Sequence, residues 1–301
     1  MRLIPLALAA LFLALPAKAA DLTGTLQKIK ETGTITMGVR ESSVPFSYLD
    51  DQQKPVGYAI DICYQVVDAV KKALSMPDLK VLTVPVLSSN RIPLMANGTI
   101  DLECGSTTNN VERQKQVAFT NTHYLTASKF VAKAAAHLTT IDALKGKTVV
   151  STAGSTNIVQ LNKANADRNL GITVVAAKDH AEAFLMVETD RAAAFVMDDV
   201  ILASFIASAK DPAAYAIGDE AFSLAEPYGI MLRRDDAPFK ALVDKATADF
   251  YTSTAGKANY AKWFQAPIPP KGLNLNTPMS KGLMGAYAHP SDNADPASYD
   301  K

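Results

Sequence analysis

Between Thr34 and Phe264 the chain alternates short β-rich apolar runs with longer stretches whose apolar residues recur every three to four positions. Thr34-Ile-Thr-Met-Gly-Val39 alternates and reads as a strand. From Tyr58 to Leu74 the residues Ile60, Cys63, Val66, Val67, Val70 and Leu74 fall on one helical face. Lys80 to Val86 is strand-like, and Ile92 to Asn97 reads as a short helix closed by Gly98. The second half repeats the rhythm, with strands predicted at Thr148–Ser151, Thr173–Ala176 and Ala193–Met197. Helices are predicted after Thr156, over Glu182–Glu188 and over Val200–Ala207. A late strand, Gly229 to Arg233, precedes helices over Phe239–Tyr251 and Gly256–Phe264. Strand–helix alternation of this kind predicts α/β layers built on largely parallel sheets.

One segment breaks the rhythm in an informative way. The alternating run Ile100, Leu102, Cys104 stops at Gly105, and Ser106, Thr107, Thr108, Asn109 and Asn110 follow. A helix-like start with Glu112 and Arg113 comes next. A strand that hands over to a hydroxyl-rich loop and a helix start leaves backbone N–H groups free to meet an anion. Arg113 adds a donor fork that matches a carboxylate in two parallel bonds. An ordinary capped turn accounts for the same residues. In open α/β sheets, ligands bind beyond the carboxyl ends of strands, and that is where this loop sits.

The ends carry separate information. Arg2, the apolar run Leu3 to Leu15 and the small-residue site Ala17-Lys18-Ala19 predict a signal peptide over 1–19 and an exported, periplasmic chain. The run is shorter than the ~20 apolar residues that span a bilayer. Without Arg2 and Lys18, 30 − 2 = 28 basic residues face 30 acidic ones, a net charge near −2. That balance gives nucleic acid no electrostatic footing. From Thr277 the composition turns to Ala, Pro, Ser and Asp, which predicts a peripheral, partly mobile tail. Cys63 and Cys104 are the only cysteines. Export favours a bridge between them, and two buried free thiols are the alternative. Four His and two Cys show no metal-ligand spacing, no Gly-x-Ser-x-Gly elbow occurs, and no Gly-rich nucleotide loop follows a strand. Neither cofactor nor metal is expected.

Six pieces in register give the chain a family likeness: Gly38-Val-Arg-Glu-Ser-Ser-Val-Pro-Phe-Ser47, Ser88-Ser-Asn-Arg-Ile-Pro-Leu94, Gly154-Ser-Thr156, Ala177-Lys-Asp-His180, Val196-Met-Asp-Asp199 and Lys262-Trp-Phe with Pro267-Ile-Pro-Pro-Lys-Gly-Leu-Asn274. With the loop above, they resemble the periplasmic amino-acid-binding proteins of ABC importers, nearest the glutamate/aspartate-binding branch, from about Leu26 to Asn276. The resemblance implies a type II periplasmic-binding-protein fold: two α/β lobes, a two-strand hinge and a cleft between. Lobe 1 would be discontinuous, 20–128 and 229–276, with lobe 2 over 129–228 and a tail over 277–301. The crossings would lie near Thr126–Val131 and Tyr228–Leu232. It further implies a monomer that delivers its ligand to a membrane permease and ATPase.

The resemblance also assigns roles. Arg113 and Thr108 match positions that hold an α-carboxylate, helped by the turn at Gly154, Ser155 and Thr156. Asp198 and Ser106 match those that receive an ammonium. Arg40, Ser88, Arg91 and His180 match those around a distal carboxylate. Ser155 and Leu87 stand where Thr is usual in the branch. Arg40, Arg91, Arg113 and His180 against the single acid Asp198 imply a ligand with a second carboxylate, because unpaired buried charge is expensive. Local alternatives stay open: His180 begins a helix, Asp198-Asp199 caps one, and Phe46 and Tyr48 are core. Glutamate and aspartate differ by one methylene and are not separated. An exported enzyme of the same fold, such as a cyclohexadienyl dehydratase, is the alternative; it needs a general acid that the matched set does not supply.

Overall fold

A computed structural model describes residues 22–299. The signal-peptide reading over 1–19 lies outside them.

Two five-stranded sheets dominate. In the first, the order is Lys80–Pro85, Thr34–Val39, Leu102–Cys104, Met231–Arg233, Val117–Phe119. The first three run parallel, and Met231–Arg233 is antiparallel to both of its neighbours. In the second, the order is Thr173–Ala177, Thr148–Thr152, Ala194–Asp198, Ser128–Lys133, Tyr215–Ile217. Again three strands are parallel and Ser128–Lys133 is antiparallel to both neighbours. The same order in both sheets is the α/β architecture expected, with one sheet per lobe.

The chain passes from the first sheet to the second along Tyr124–Thr126 and returns along Glu226–Tyr228. These two strands pair antiparallel, with Thr126 opposite Glu226 and Tyr124 opposite Tyr228. Beneath this ladder the rings of Phe46, Tyr58, Tyr124, Tyr228 and Phe264 meet edge to face or stacked. Phe46 and Tyr48 are therefore core, and Tyr48 donates to the Pro269 carbonyl.

Helix Tyr58–Leu74 forms because its apolar face is continuous. All six residues read as that face are buried, together with Tyr58, Ala59 and Ile62. Each large side chain so buried contributes about 1.5–3 kcal/mol. Cys63 of this helix is bridged to Cys104 across 6.1 Å between Cα atoms. A bridge over a separation of 41 residues is worth about 4 kcal/mol in the chain-entropy model.

The short helix near Ile92 spans Arg91–Ala96, and Gly98 at φ 81° returns an N–H to the Met95 carbonyl. The composition reading of residues after Thr277 as a mobile tail is corrected. Ser280 caps a helix Lys281–Ala288 whose Leu283, Ala286 and Tyr287 are buried. Further on, Thr122 donates its N–H to the Ser291 carbonyl and Asn109 its amide to the Asp292 carbonyl. Ala-rich composition hid a helix that packs Leu283 and Tyr287 inward while Met284 faces solvent.

Candidate functional site

Every sequence-selected site residue lies at or just beyond the carboxyl end of a parallel strand. Arg40 follows Thr34–Val39, Ser88 and Arg91 follow Lys80–Pro85, and Ser106, Thr108 and Arg113 follow Leu102–Cys104. In the other sheet Ser155 and Thr156 follow Thr148–Thr152, His180 follows Thr173–Ala177, and Asp198 ends Ala194–Asp198. The six strand ends face one another across the lobes. Ser88, Arg91, Ser106, Thr108, Ser155, Thr156, His180 and Asp198 line a shared pocket with about 190 Å³ of non-atom space, and Asn157 and Met197 complete it. The lining is almost wholly polar and the space is small, which suits one small polar molecule.

Arg113 reaches across the cleft. It donates to the Thr108 carbonyl at 2.8 Å on its own side and to the Gly154 carbonyl at 3.3 Å on the other. The Thr108 and Thr156 hydroxyls meet at 3.3 Å. Burial lowers the Arg113 pKa to about 9, and Arg91 adds to the shift. Burial likewise lowers that of Arg40 to about 10. Both guanidiniums are charged at neutral pH in a setting that makes the charge costly, and an anion beside them reverses that cost.

His180 does begin a helix, His180–Glu188, yet its ring points inward and is 2% exposed. Nε2 lies 3.4 Å from Arg40 and Nδ1 2.7 Å from the Thr152 hydroxyl. Burial pushes its pKa well below the usual value, so the ring is neutral. With Arg40 donating to Nε2, the proton sits on Nδ1 and faces Thr152.

Asp198 stands at the N-cap of helix Asp199–Ser208, but its side chain makes no capping bond. One carboxylate oxygen accepts from Asn157 at 2.8 Å and the other accepts from the Tyr228 hydroxyl. Burial raises the Asp198 pKa, and the two hydrogen bonds work against that rise. The Val200 N–H is satisfied by Asp199 instead. The capping alternative therefore belongs to Asp199. Ser155 is a true cap: its hydroxyl accepts from Ile158 N–H and donates to the Thr152 carbonyl.

Sequence reasoning missed Asn157, Met197, Tyr228 and, most consequentially, Glu103. Glu103 is wholly buried and lies 3.7 Å from Arg91. The tally of one acid against three arginines is corrected: the arginines face Asp198 and Glu103, a surplus of one positive charge with His180 neutral. Glu226 lies at the hinge end, bonded by Gln160 and Ser223, with its pKa raised by burial to about 7. An acid in an alternating strand reads as solvent-facing, and only the strand's central place in the sheet reveals its burial. Among the described residues Arg40 Nη1, Ser88 Oγ, Arg91 Nε and Ser106 Oγ are buried without a hydrogen-bond partner in the chain. Buried polar groups ordinarily have partners, so four orphans in one cleft mark where polar atoms of a ligand belong. Also among the described residues, no group of three or more His, Cys, Asp or Glu is placed to hold a metal ion.

The chain is 50% identical over 293 residues to the L-glutamate/L-aspartate-binding protein of Pseudomonas aeruginosa, covering 97% of each chain. It is 47% identical over 270 residues to the glutamate/aspartate import solute-binding protein of Escherichia coli K12, covering 90% of this chain and 89% of the relative. Among solved structures, an ancestral arginine-binding protein bound to arginine superposes with a TM-score of 0.70 at 27% identity, covering 77% of this chain and 98% of that one. An ancestral amino-acid-binding precursor of cyclohexadienyl dehydratase shares the fold, with a TM-score of 0.67 at 24% identity, covering 80% of this chain and 99% of that one. Residues 35–266 match the model of the bacterial extracellular solute-binding proteins, family 3, and the chain belongs to that family.

Proposed function

We propose that the protein captures L-glutamate or L-aspartate outside the cytoplasm and hands it to the permease and ATPase subunits of an ABC importer. The observation that carries this reading is the surplus of one positive charge in the cleft: three guanidiniums against Asp198 and Glu103. An acidic amino acid has one ammonium and two carboxylates, so it neutralises the site. A neutral amino acid leaves one guanidinium buried without a counter-charge, and lysine leaves two positive charges, both costly. The names of the P. aeruginosa and E. coli relatives point the same way.

In this reading the α-carboxylate lies against Arg113, Thr108 and the N–H groups of Ser155 and Thr156. The ammonium meets Asp198 and Ser106. The distal carboxylate meets Arg40, Ser88, Arg91 and His180, whose neutral Nε2 keeps Arg40 aimed. Residues 20–128 and 229–276 act as one lobe, 129–228 as the other, and the Tyr124–Thr126/Glu226–Tyr228 ladder as the pivot. Ligand bridging both lobes stabilises the closed form, which the permease recognises. The signal peptide over 1–19 delivers the chain to the periplasm.

Titration calorimetry with an amino-acid panel tests the reading. L-glutamate and L-aspartate are expected to bind far tighter than glutamine, asparagine or lysine. A neutral amino acid or lysine as the tightest ligand overturns it. Thermal shift offers a second readout, because a ligand that binds only the native state raises stability by mass action.

A further inference from the structure

Glu103 is an expensive residue to keep where it is. It occupies the middle of strand Leu102–Cys104, at the centre of its sheet between Thr34–Val39 and Met231–Arg233, and is wholly buried. One carboxylate oxygen accepts from the Thr107 hydroxyl at 2.5 Å. The other lies 3.7 Å from Arg91 Nη1 and has no hydrogen-bond partner. A buried, half-satisfied carboxylate costs several kcal/mol against water. The fold also makes room for it: a Cβ on Gly105 would stand 2.3 Å from that same oxygen and 3.0 Å from Arg40 Cγ. The carboxylate thus sits beside Arg91, near the stem of Arg40 and outside the lining of the pocket.

We propose that Glu103 is a specificity-determining residue that sets the net charge of the cleft. It cancels one of the three guanidinium charges from behind. The remaining single surplus admits an acidic amino acid and limits how strongly the distal carboxylate is held. The proposal rests on the acidic-amino-acid reading above, in which Arg40 and Arg91 hold that carboxylate. A ligand carboxylate and Glu103 share these arginines and repel each other through them. Removing the buried charge therefore tightens the grip on an anionic side chain more than on an amide of the same shape.

The experiment is calorimetry of L-glutamate and L-glutamine on the parent and on Glu103→Gln. Glutamine at position 103 has nearly the same volume and keeps an oxygen to accept from Thr107, so chiefly the charge changes. The ratio of glutamine to glutamate dissociation constants is expected to rise by about tenfold or more, tenfold being the effect of a unit charge about 12 Å away at an effective dielectric near 20. A residue that merely holds Arg91 and Thr107 in place would weaken both ligands alike, and an unchanged or smaller ratio overturns the proposal. Thr107→Val supplies the independent check and serves if Glu103→Gln fails to fold. It removes the hydrogen bond to Glu103 while leaving the charge, and the ratio is expected to stay within twofold of the parent's. A larger change there overturns the proposal too. The parent's own panel separates the two readings. A parent that prefers a non-acidic ligand defeats the acidic-amino-acid reading, whereas a parent that prefers glutamate with an unmoved ratio in Glu103→Gln defeats only this inference.

Discussion

At the scale of single residues, Asp198 makes the sharpest statement. Its carboxylate is held by Asn157 and Tyr228 and caps nothing, so its charge is free to meet an ammonium. Asp198→Asn keeps the shape and removes the charge. Affinity for glutamate is expected to fall by about 2–5 kcal/mol in calorimetry, with the apo melting temperature little changed. Unchanged affinity would remove Asp198 from the site.

His123 gives a pH prediction at the same scale. It is wholly buried at the start of the hinge, among the rings of Phe46, Tyr58 and Tyr228, and burial lowers its pKa from 6.5 to about 3. The unfolded chain takes up this proton below about pH 6.5 and the folded protein refuses it until about 3. Its contribution to stability is therefore complete above 6.5 and drains away as pH falls through that window. Glu226 runs the other way: its folded pKa is raised from 4.5 to about 7, so its contribution is lost as pH rises between those values. Comparing the parent with His123→Phe isolates the histidine. Acidification from pH 7 to 4 is expected to lower the parent's melting temperature more steeply than the variant's, and parallel curves would refute it. Nothing in the local residue pattern signals the burial of either group. Arg40, Arg91 and Asp198 were picked out by the family resemblance, on pieces that stand at the ends of recognisable strands. Glu103 and His123 were not, because what desolvates them arrives from segments far away in the chain.

At the scale of elements, helices with continuous apolar faces were legible almost to the residue, as Tyr58–Leu74 shows. Leu102–Cys104 and Met231–Arg233 were legible inside longer apolar runs, but other three-residue strands were not. Val117–Phe119, Tyr215–Ile217 and Glu226–Tyr228 are too short to display a period, and they become strands only by pairing with neighbours supplied by the fold. Gly154 belongs at this scale too, since it lets one strand–helix turn touch the opposite lobe. Its φ is +77°, and a Cβ would lie 2.5 Å from Ser89 Cα and 2.8 Å from the Ser88 carbonyl oxygen. Gly154→Ala meets backbone on the far side of the cleft, beyond the about 1 kcal/mol that a left-handed conformation costs a side chain. Glutamate affinity is expected to fall at least about tenfold, equivalent to ~1.4 kcal/mol. Small-angle scattering with saturating ligand should then show a larger radius than the parent's. Parent-like affinity and radius would show that the turn yields.

At the scale of the whole molecule, strand–helix alternation was enough for α/β layers, and resemblance was needed for two lobes. No local pattern distinguishes a strand that stays in its sheet from one that leaves it. The two sheets share one strand order, and the ladder between them brings Thr126 beside Glu226. The residues between carry their own apolar cluster, including Phe130, Ile141, Leu144, Val149, Leu161 and Val196. Seen as genetic material, that stretch is a cassette whose two cut ends already lie side by side. Residues 127–225 expressed alone are expected to unfold cooperatively on heating, and replacing them with a short Gly-Ser turn should leave a folded remainder that no longer binds glutamate. Should neither piece show a cooperative transition, the lobes depend on each other for folding. If both do, the binding site was assembled at a seam: each half brings its own strand ends, and neither half alone has anything to bind with.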